Sequence, residues 1–335
     1  MVNPIDVVIV GAGLSGIMAG KTLAANGKSV VLLDKGRSVG GRCATRRLSG
    51  GAADTGAQFF TCREPEFQAY VDAWLEQGII FEWSRGWSDG SIVDTRDGHS
   101  RYAVRKGMNA LPKFLAEGLD IRDSTEVTRI NHSSQGWTIE DSNANKFYAH
   151  ALLMTPPVPQ SLKLLEDSVI AIPDDVQAAL ETLTFNPCVV GLIHVSGDIS
   201  LPEPGVMQRP HANIYWIADN QAKGISATKI LTLQAGVAYS HQLFDLPDEE
   251  ILKKFRVDLE PLMGTEWTII EAQIKRWRYS QPAHTHVERC LITDAVLQSG
   301  EAAILGFAGD AFGGPRVEGA FLSGIAAGNE LLKRL

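Results

Sequence analysis

Three glycines near the start of the chain carry the first chemistry that can be read from its residues. Gly11-Ala12-Gly13-Leu14-Ser15-Gly16 follows the apolar run Ile5–Val10 with the spacing G-x-G-x-x-G. Gly11 permits a tight turn out of a strand, Gly13 lets backbone approach a pyrophosphate, and Gly16 lets the next helix pack against the sheet. A helix over residues 17–25 then aims its N–H groups and the positive end of its dipole at the phosphates. Past Asn26-Gly27, a second buried strand over residues 29–33 ends at Asp34. An acidic residue about 20 positions beyond the glycines is where a carboxylate accepts hydrogen bonds from an adenosine ribose. This context predicts a dinucleotide site rather than an empty strand-helix-strand unit.

The loop Lys35-Gly36-Arg37-Ser38-Val39-Gly40-Gly41-Arg42 continues the theme, because a guanidinium beside a pyrophosphate supplies bidentate charge-assisted hydrogen bonds. A solvated surface turn is its plainer reading. Cys43, Cys62, Cys188 and Cys290 are scattered, with neither a C-x-x-C redox pair nor a zinc spacing, and read as free thiols. His284 and His286 form an isolated H-x-H without a third histidine nearby in sequence, so no metal is expected. No acid/base pair for proton abstraction stands out.

The elements that must position these groups follow from periodicity. Residues 64–77 repeat Phe67, Tyr70, Val71, Trp74 and Leu75 at helical spacing, and residues 79–105 hold short strands broken by Gly86, Gly90 and Gly98. A helix opens at Gly107 and runs to about Glu117. Residues 124–131, 136–140 and 146–149 predict a small antiparallel meander, and residues 151–155 a separate buried strand stopped by Pro156-Pro157. Helices are expected over 174–183 and 248–262, and strands over 188–195, 214–218, 230–235 and 268–279. A strand over 302–308 and a helix over 316–332 return to the style of the first turn; the helix carries Gly319, Ala320, Gly324, Ala327 and Gly328, which permit close packing.

Composition bounds the rest. The chain has 335 residues, 44% hydrophobic and 21% charged, which suits about two globular domains and argues against disorder or a fibre. A net charge of −8 with no Lys/Arg block argues against a nucleic-acid surface. The longest apolar runs are strand-sized, below the ~20 residues of a membrane span. The first strand begins too close to Met1 for a signal peptide, so a cytoplasmic location is expected.

Taken together, Gly11 to Gly16, Asp34-Lys35, Gly40-Gly41-Arg42, Asp54-Thr55-Gly56-Ala57-Gln58-Phe59-Phe60-Thr61, Thr155-Pro156, Arg276-Trp277, Gly309-Asp310 and Arg316-Val317-Glu318-Gly319-Ala320-Phe321-Leu322-Ser323-Gly324 resemble the two-domain FAD-binding family of amine oxidases and phytoene-type desaturases. The similarity is greatest to its renalase-like oxidases. The resemblance implies an α/β fold (α+β, two domains): a Rossmann-like FAD-binding domain from residues 1–61, 103–160 and 286–335, with an inserted mixed-sheet substrate domain from 62–102 and 161–285. It implies that Gly11, Gly13 and Gly16, with Ala12, Leu14 and Ser15, face the FAD pyrophosphate and Asp34 the ribose. Arg42 would lie near the pyrophosphate, Val127 near the adenine, and Asp310 on the ribityl or phosphate side. Ala57 and Gln58 would lie along the isoalloxazine, and backbone N–H groups around Val317 and Glu318 would meet its N1 and C2 carbonyl edge. Lys35, Gly41, Phe59, Thr155, Gly309, Arg316 and Ala320 complete the cofactor set.

Reduced flavin is negative near N1, so a helix N-terminus there stabilises it. The closing segment has no cysteine or histidine beside the ring, and FAD is expected to be non-covalent. With one G-x-G-x-x-G, a second nucleotide domain is not apparent, so the substrate reduces the flavin directly. The resemblance implies oxidation of isomeric 2- or 6-dihydro-NAD(P) by hydride transfer to flavin N5, with O2 reduced to H2O2. Trp216, Trp277 and Tyr279 are candidate pocket walls and Arg276 a candidate phosphate contact, although core packing or a surface ion pair accounts for each equally well. Oxidation of a small amine, desaturation of a hydrophobic molecule, and a FAD-holding regulatory protein without turnover are the alternatives.

Overall fold

The computed structural model describes residues 4–48, 50–90, 97–133, 136–296 and 302–335. It divides into two compact units, one from Met1–Gly41, Pro112–Phe185 and Gln281–Leu335, the other from Arg42–Leu111 and Asn186–Ser280. Residues 42–61 group with the second unit and residues 161–185 with the first.

The first unit is built on an eight-stranded mixed sheet. Its spine is the order Leu291–Val296, Ala302–Phe307, Lys146–Met154, Ile5–Val10, Val30–Leu33, Asp120–Arg122. Ile5–Val10 pairs in parallel with Val30–Leu33 and with Lys146–Met154, as strand-helix-strand crossovers require. The two strands expected over 146–149 and 151–155 are one. Lys146–Ala149 pairs antiparallel with Gly136–Asp141, and the second half runs parallel between Ile5–Val10 and Ala302–Phe307. The alternating texture of its first half and the apolar run of its second record a change of neighbours, since a strand covered on both faces loses alternation. The helix Val158–Asp167 was not anticipated; Pro157, which cannot extend a sheet, precedes its first turn. Asp120–Arg122 and Leu291–Val296 are further edge strands beyond the expected set.

Helix Leu14–Ala25 begins directly after Gly13, three residues earlier than its periodicity suggests. It packs on the C-terminal helix Val317–Leu332 so closely that a Cβ on Gly324 would collide with the Ser15 carbonyl and lie 2.9 Å from the Met18 Cβ. The apolar core of this unit gathers Val8, Leu33, Trp137, Leu152, Leu305 and Phe307, all buried.

The second unit holds a five-stranded sheet in the order Val206–Gln208, Ile214–Asp219, Ile230–Ala235, Phe185–Ser196, Thr268–Pro282. Helix Asp248–Leu259 buries Ile251, Phe255 and Leu259, one per turn, with Val189, Ile193, Ile217 and Leu233. Thr45–Leu48 and Gly51–Asp54 form a hairpin that the sequence reading missed. Ile80–Ser84 pairs with Arg101–Val104, and residues 91–96 of the expected strand-rich stretch lie outside the described residues. Among the described residues no helix is long and apolar enough to cross a membrane.

Candidate active site

The turn after the first strand is held by backbone and by two side chains. Gly11 has φ +99°, a left-handed conformation, and a Cβ there would stand 2.5 Å from the Thr155 hydroxyl. That hydroxyl donates to the carbonyls of Val10, at 2.8 Å, and Gly11, at 3.1 Å. Asp34 accepts the Ala12 N–H at 2.6 Å and the Gly36 N–H at 2.7 Å, and the Gly40 N–H donates to the Ala12 carbonyl. A carboxylate has about four lone-pair positions, so Asp34 can hold this turn and still accept from a ribose. No side chain caps the helix at Gly13, a Cβ on Gly13 would meet nothing within 4 Å, and the buried Ser15 hydroxyl has no partner. Open space, uncapped N–H groups and an orphaned buried hydroxyl at one helix N-terminus fit a diphosphate. Lys35 is exposed, and Val127 begins the strand Val127–Ser133.

At the other end of the chain, the Gly309 N–H donates to the Ser323 hydroxyl at 2.8 Å, tying the segment of Gly309 and Asp310 to the C-terminal helix. That helix starts at Val317 with Arg316 as a cap residue that makes no side-chain cap, and its Ala320 N–H returns to the Arg316 carbonyl at 3.0 Å. The N–H groups of Val317 and Glu318 therefore precede the first intrahelical bond.

In the second unit the segment Asp54 to Phe59 leaves the hairpin and forms a loop whose carbonyls are taken up by side chains. Thr232 and Gln58 donate to the Asp54 carbonyl, Trp277 to that of Thr55 at 2.7 Å, and Gln58 and Gln234 to that of Gly56. The Ala57 N–H donates to the Arg42 carbonyl, and Arg42 itself donates to the carbonyls of Tyr279 and Ser280. At the base lies a fully buried ion pair, Lys223 Nζ to Asp54 Oδ2 at 2.6 Å. The same ammonium donates to the Gln58 carbonyl at 2.5 Å and lies 4.7 Å from the centre of the Trp83 ring. Asp54 Oδ1 also accepts from the Thr45 hydroxyl and the Met108 N–H. Burial pushes the Lys223 pKa below the ordinary lysine range, and the Asp54 carboxylate opposes that shift.

Among the four candidate substrate residues, Arg276 and Trp277 leave their strand on opposite faces. Trp216 is 2% exposed and sits in an aromatic cluster, stacked on Phe59 at 5.5 Å and edge-on to Trp87 at 5.3 Å. Trp277 and Tyr279 share one face of the strand Thr268–Pro282, whereas Arg276 points from the other, by the two-residue period. Arg276 donates to the Phe244 and Leu246 carbonyls and to Asp248 at 2.6 Å, so a substrate phosphate would have to compete with three partners. Lys223, Asn220, Thr232, Trp83 and Trp87 escaped the sequence reading. Thr232 and Gln234, polar residues on one face of an otherwise apolar strand, were the one signal available; Lys223 lies in the turn Asp219-Asn220-Gln221-Ala222-Lys223-Gly224, which reads as solvated. Among the described residues no cluster of His, Cys, Asp and Glu could hold a metal.

The chain matches the flavin-containing amine oxidoreductase family over residues 84–332 and an NAD(P)-binding Rossmann-like domain over residues 9–74. It is 23% identical to mouse (Mus musculus) renalase over 292 residues, 82% of this chain and 84% of renalase. Putrescine oxidase of Kocuria rosea is 40% identical over 67 residues, 20% of this chain and 14% of that protein. Among solved structures, a proposed protoporphyrinogen oxidase from Exiguobacterium sp. 255-15 has TM-score 0.74 at 15% identity over 100% of both chains. Putrescine oxidase bound to putrescine has TM-score 0.68 at 15% identity over 99% of both chains, a likeness of fold. With the family match extending over most of its length, the chain belongs to the flavin-containing amine oxidoreductases and is a FAD-dependent oxidoreductase acting on a small molecule.

Proposed function

We propose that this protein is a renalase-like oxidase that converts the 2- or 6-dihydro isomers of NAD(P) into ordinary NAD(P)+. The balanced reaction consumes the dihydro form, one proton and O2, and yields NAD(P)+ and H2O2. The observation that carries this reading is the extent of the sequence match: that to renalase runs over 82% of the chain, whereas that to putrescine oxidase runs over 67 residues.

When bound, FAD supplies a two-electron acceptor at N5 that oxygen can reoxidise. The chain's own work is binding and orientation. The Gly11 to Gly16 turn takes the diphosphate on uncapped N–H groups, and Asp34 takes the ribose. The N-terminus at Val317 favours negative charge where its N–H groups point. Ala57 and Gln58, on a loop cross-braced at nearly every carbonyl, lie along the ring. Residues 313–324 contain neither cysteine nor histidine, in keeping with non-covalent attachment. Loss of hydride from a dihydropyridine leaves an aromatic cation, so no residue has to abstract a proton and alignment supplies most of the rate.

The test is anaerobic mixing of the yellow protein with separated 2-, 4- and 6-dihydro isomers of NAD(P), followed by flavin absorbance. Rapid bleaching by the 2- or 6-isomer with slow reaction of the 4-isomer is expected; no bleaching by either would overturn the reading. A small amine is the second reading, favoured by the match to the amine oxidoreductase family over residues 84–332, and an amine panel in the same instrument addresses it.

A further inference from the structure

A lysine ammonium with no exposed surface is an expensive thing to build into a protein, and here it serves two acceptors four residues apart in one loop. Lys223 Nζ lies 2.6 Å from Asp54 Oδ2 and 2.5 Å from the Gln58 carbonyl. An apolar pair of similar volume is often at least as stable at such a position, so stability alone does not account for the charges. The geometry supplies one. Asp54 is where the loop leaves its hairpin and Gln58 lies one residue before its far end, so the ammonium fixes the distance across the loop. Gln58 closes the loop from inside, its side-chain amide donating to the carbonyls of Asp54, at 2.8 Å, and Gly56, at 3.1 Å. The lysine is itself held in place, since Asp54 is anchored by Thr45 and Met108, and the Trp83 ring lies against the cation.

We propose that Lys223 is a positioning residue for the flavin-facing loop, its ammonium setting the separation of Asp54 and Gln58 and through it the seat of Ala57 and Gln58 against the ring. This rests on the reading that Ala57 and Gln58 face the isoalloxazine. It acts through the loop and touches no reacting atom.

Lys223→Ala alone leaves Asp54 charged and buried and tests folding only. The informative variant is the neutral near-isosteric pair Lys223→Met with Asp54→Asn, compared as holoenzyme with Ala57→Val. The pair is expected to fold and retain FAD, and its visible flavin absorption and circular dichroism bands are expected to move, as are those of Ala57→Val. With the isomer that bleaches the wild type, kcat is expected to fall roughly tenfold to a hundredfold while KM stays within about twofold, the signature of misalignment. Wild-type bands and wild-type kcat in the pair, with shifted bands in Ala57→Val, would overturn the role of Lys223 alone. Unmoved bands in both would show that the loop does not face the ring and would sink both statements. The bands are read without any substrate, so failure of the dihydronicotinamide reading leaves this test intact.

Discussion

The turn at Gly11 to Gly16 and the loop at Asp54 to Phe59 are built by opposite means. The turn is local: glycines, a strand before it, a helix after it and a carboxylate one strand later. Its space is made by missing side chains, as at Gly13. The loop is assembled by side chains that come from far along the chain, Lys223, Thr232, Gln234 and Trp277, each donating to one of its carbonyls. A phosphate is recognised by any well-placed set of N–H groups, so a short motif suffices. A ring that must be held at a fixed distance from a substrate needs a rigid surface, and rigidity in a loop comes from bonding its backbone to the surrounding structure.

Substitutions can break this contrast in order of expected size. Lys223→Ala removes one half of a fully buried ion pair and leaves the Asp54 carboxylate behind, so stability to urea should fall by about 3–5 kcal/mol. If the loss is below ~1 kcal/mol, comparable to an exposed pair, the loop is not braced as described. Gly11→Ala forces a side chain into positive φ against Thr155, costing about 1–2 kcal/mol of backbone strain. The expected result is protein purified largely without yellow colour, which flavin titration would measure; normal FAD retention would contradict the cradle. Trp277→Phe keeps an aromatic ring but loses part of the indole and the bond to the Thr55 carbonyl, for at least about 1 kcal/mol in thermal unfolding.

The smallest effect is expected at a pair in the same unit whose carboxylate is exposed. The Arg101 guanidinium, together with the His99 N–H, holds the Asp97 carboxyl well below the usual carboxylate range. A depressed folded pKa contributes stability that is present above the unfolded value, about 3.9, and is lost as pH falls through the folded value. Solvent screens the pair, so Asp97→Asn should change stability at pH 7 by ~0.5 kcal/mol or less, and the difference from wild type should vanish in strong acid. A large loss would mean that exposed charge, and not only the buried clamp, braces this unit.

A feature is legible in the sequence where its signal is contained in a few neighbours. The Ile5–Val10 strand, the glycine spacing, Asp34 and the small-residue helix Val317–Leu332 all declare themselves within about one helical turn or one strand. Reading failed where an element takes its identity from partners. Lys146–Met154 looks like two strands because its two halves meet different neighbours. Arg276 and Trp277 are adjacent in sequence and face opposite ways. Lys223 has the sequence surroundings of a solvated turn lysine and is fully buried.

What the residues determined unaided was the glycine turn and the presence of a Rossmann-like unit, because glycine spacing and strand periodicity act over short range; the kinship with flavin oxidases rested on resemblance to a known family. Only the tertiary structure decided which polar groups brace the second loop. A buried cation is stable only beside the carboxylate and carbonyl that replace its water, and those partners, 169 and 165 residues away, are brought to it by the fold.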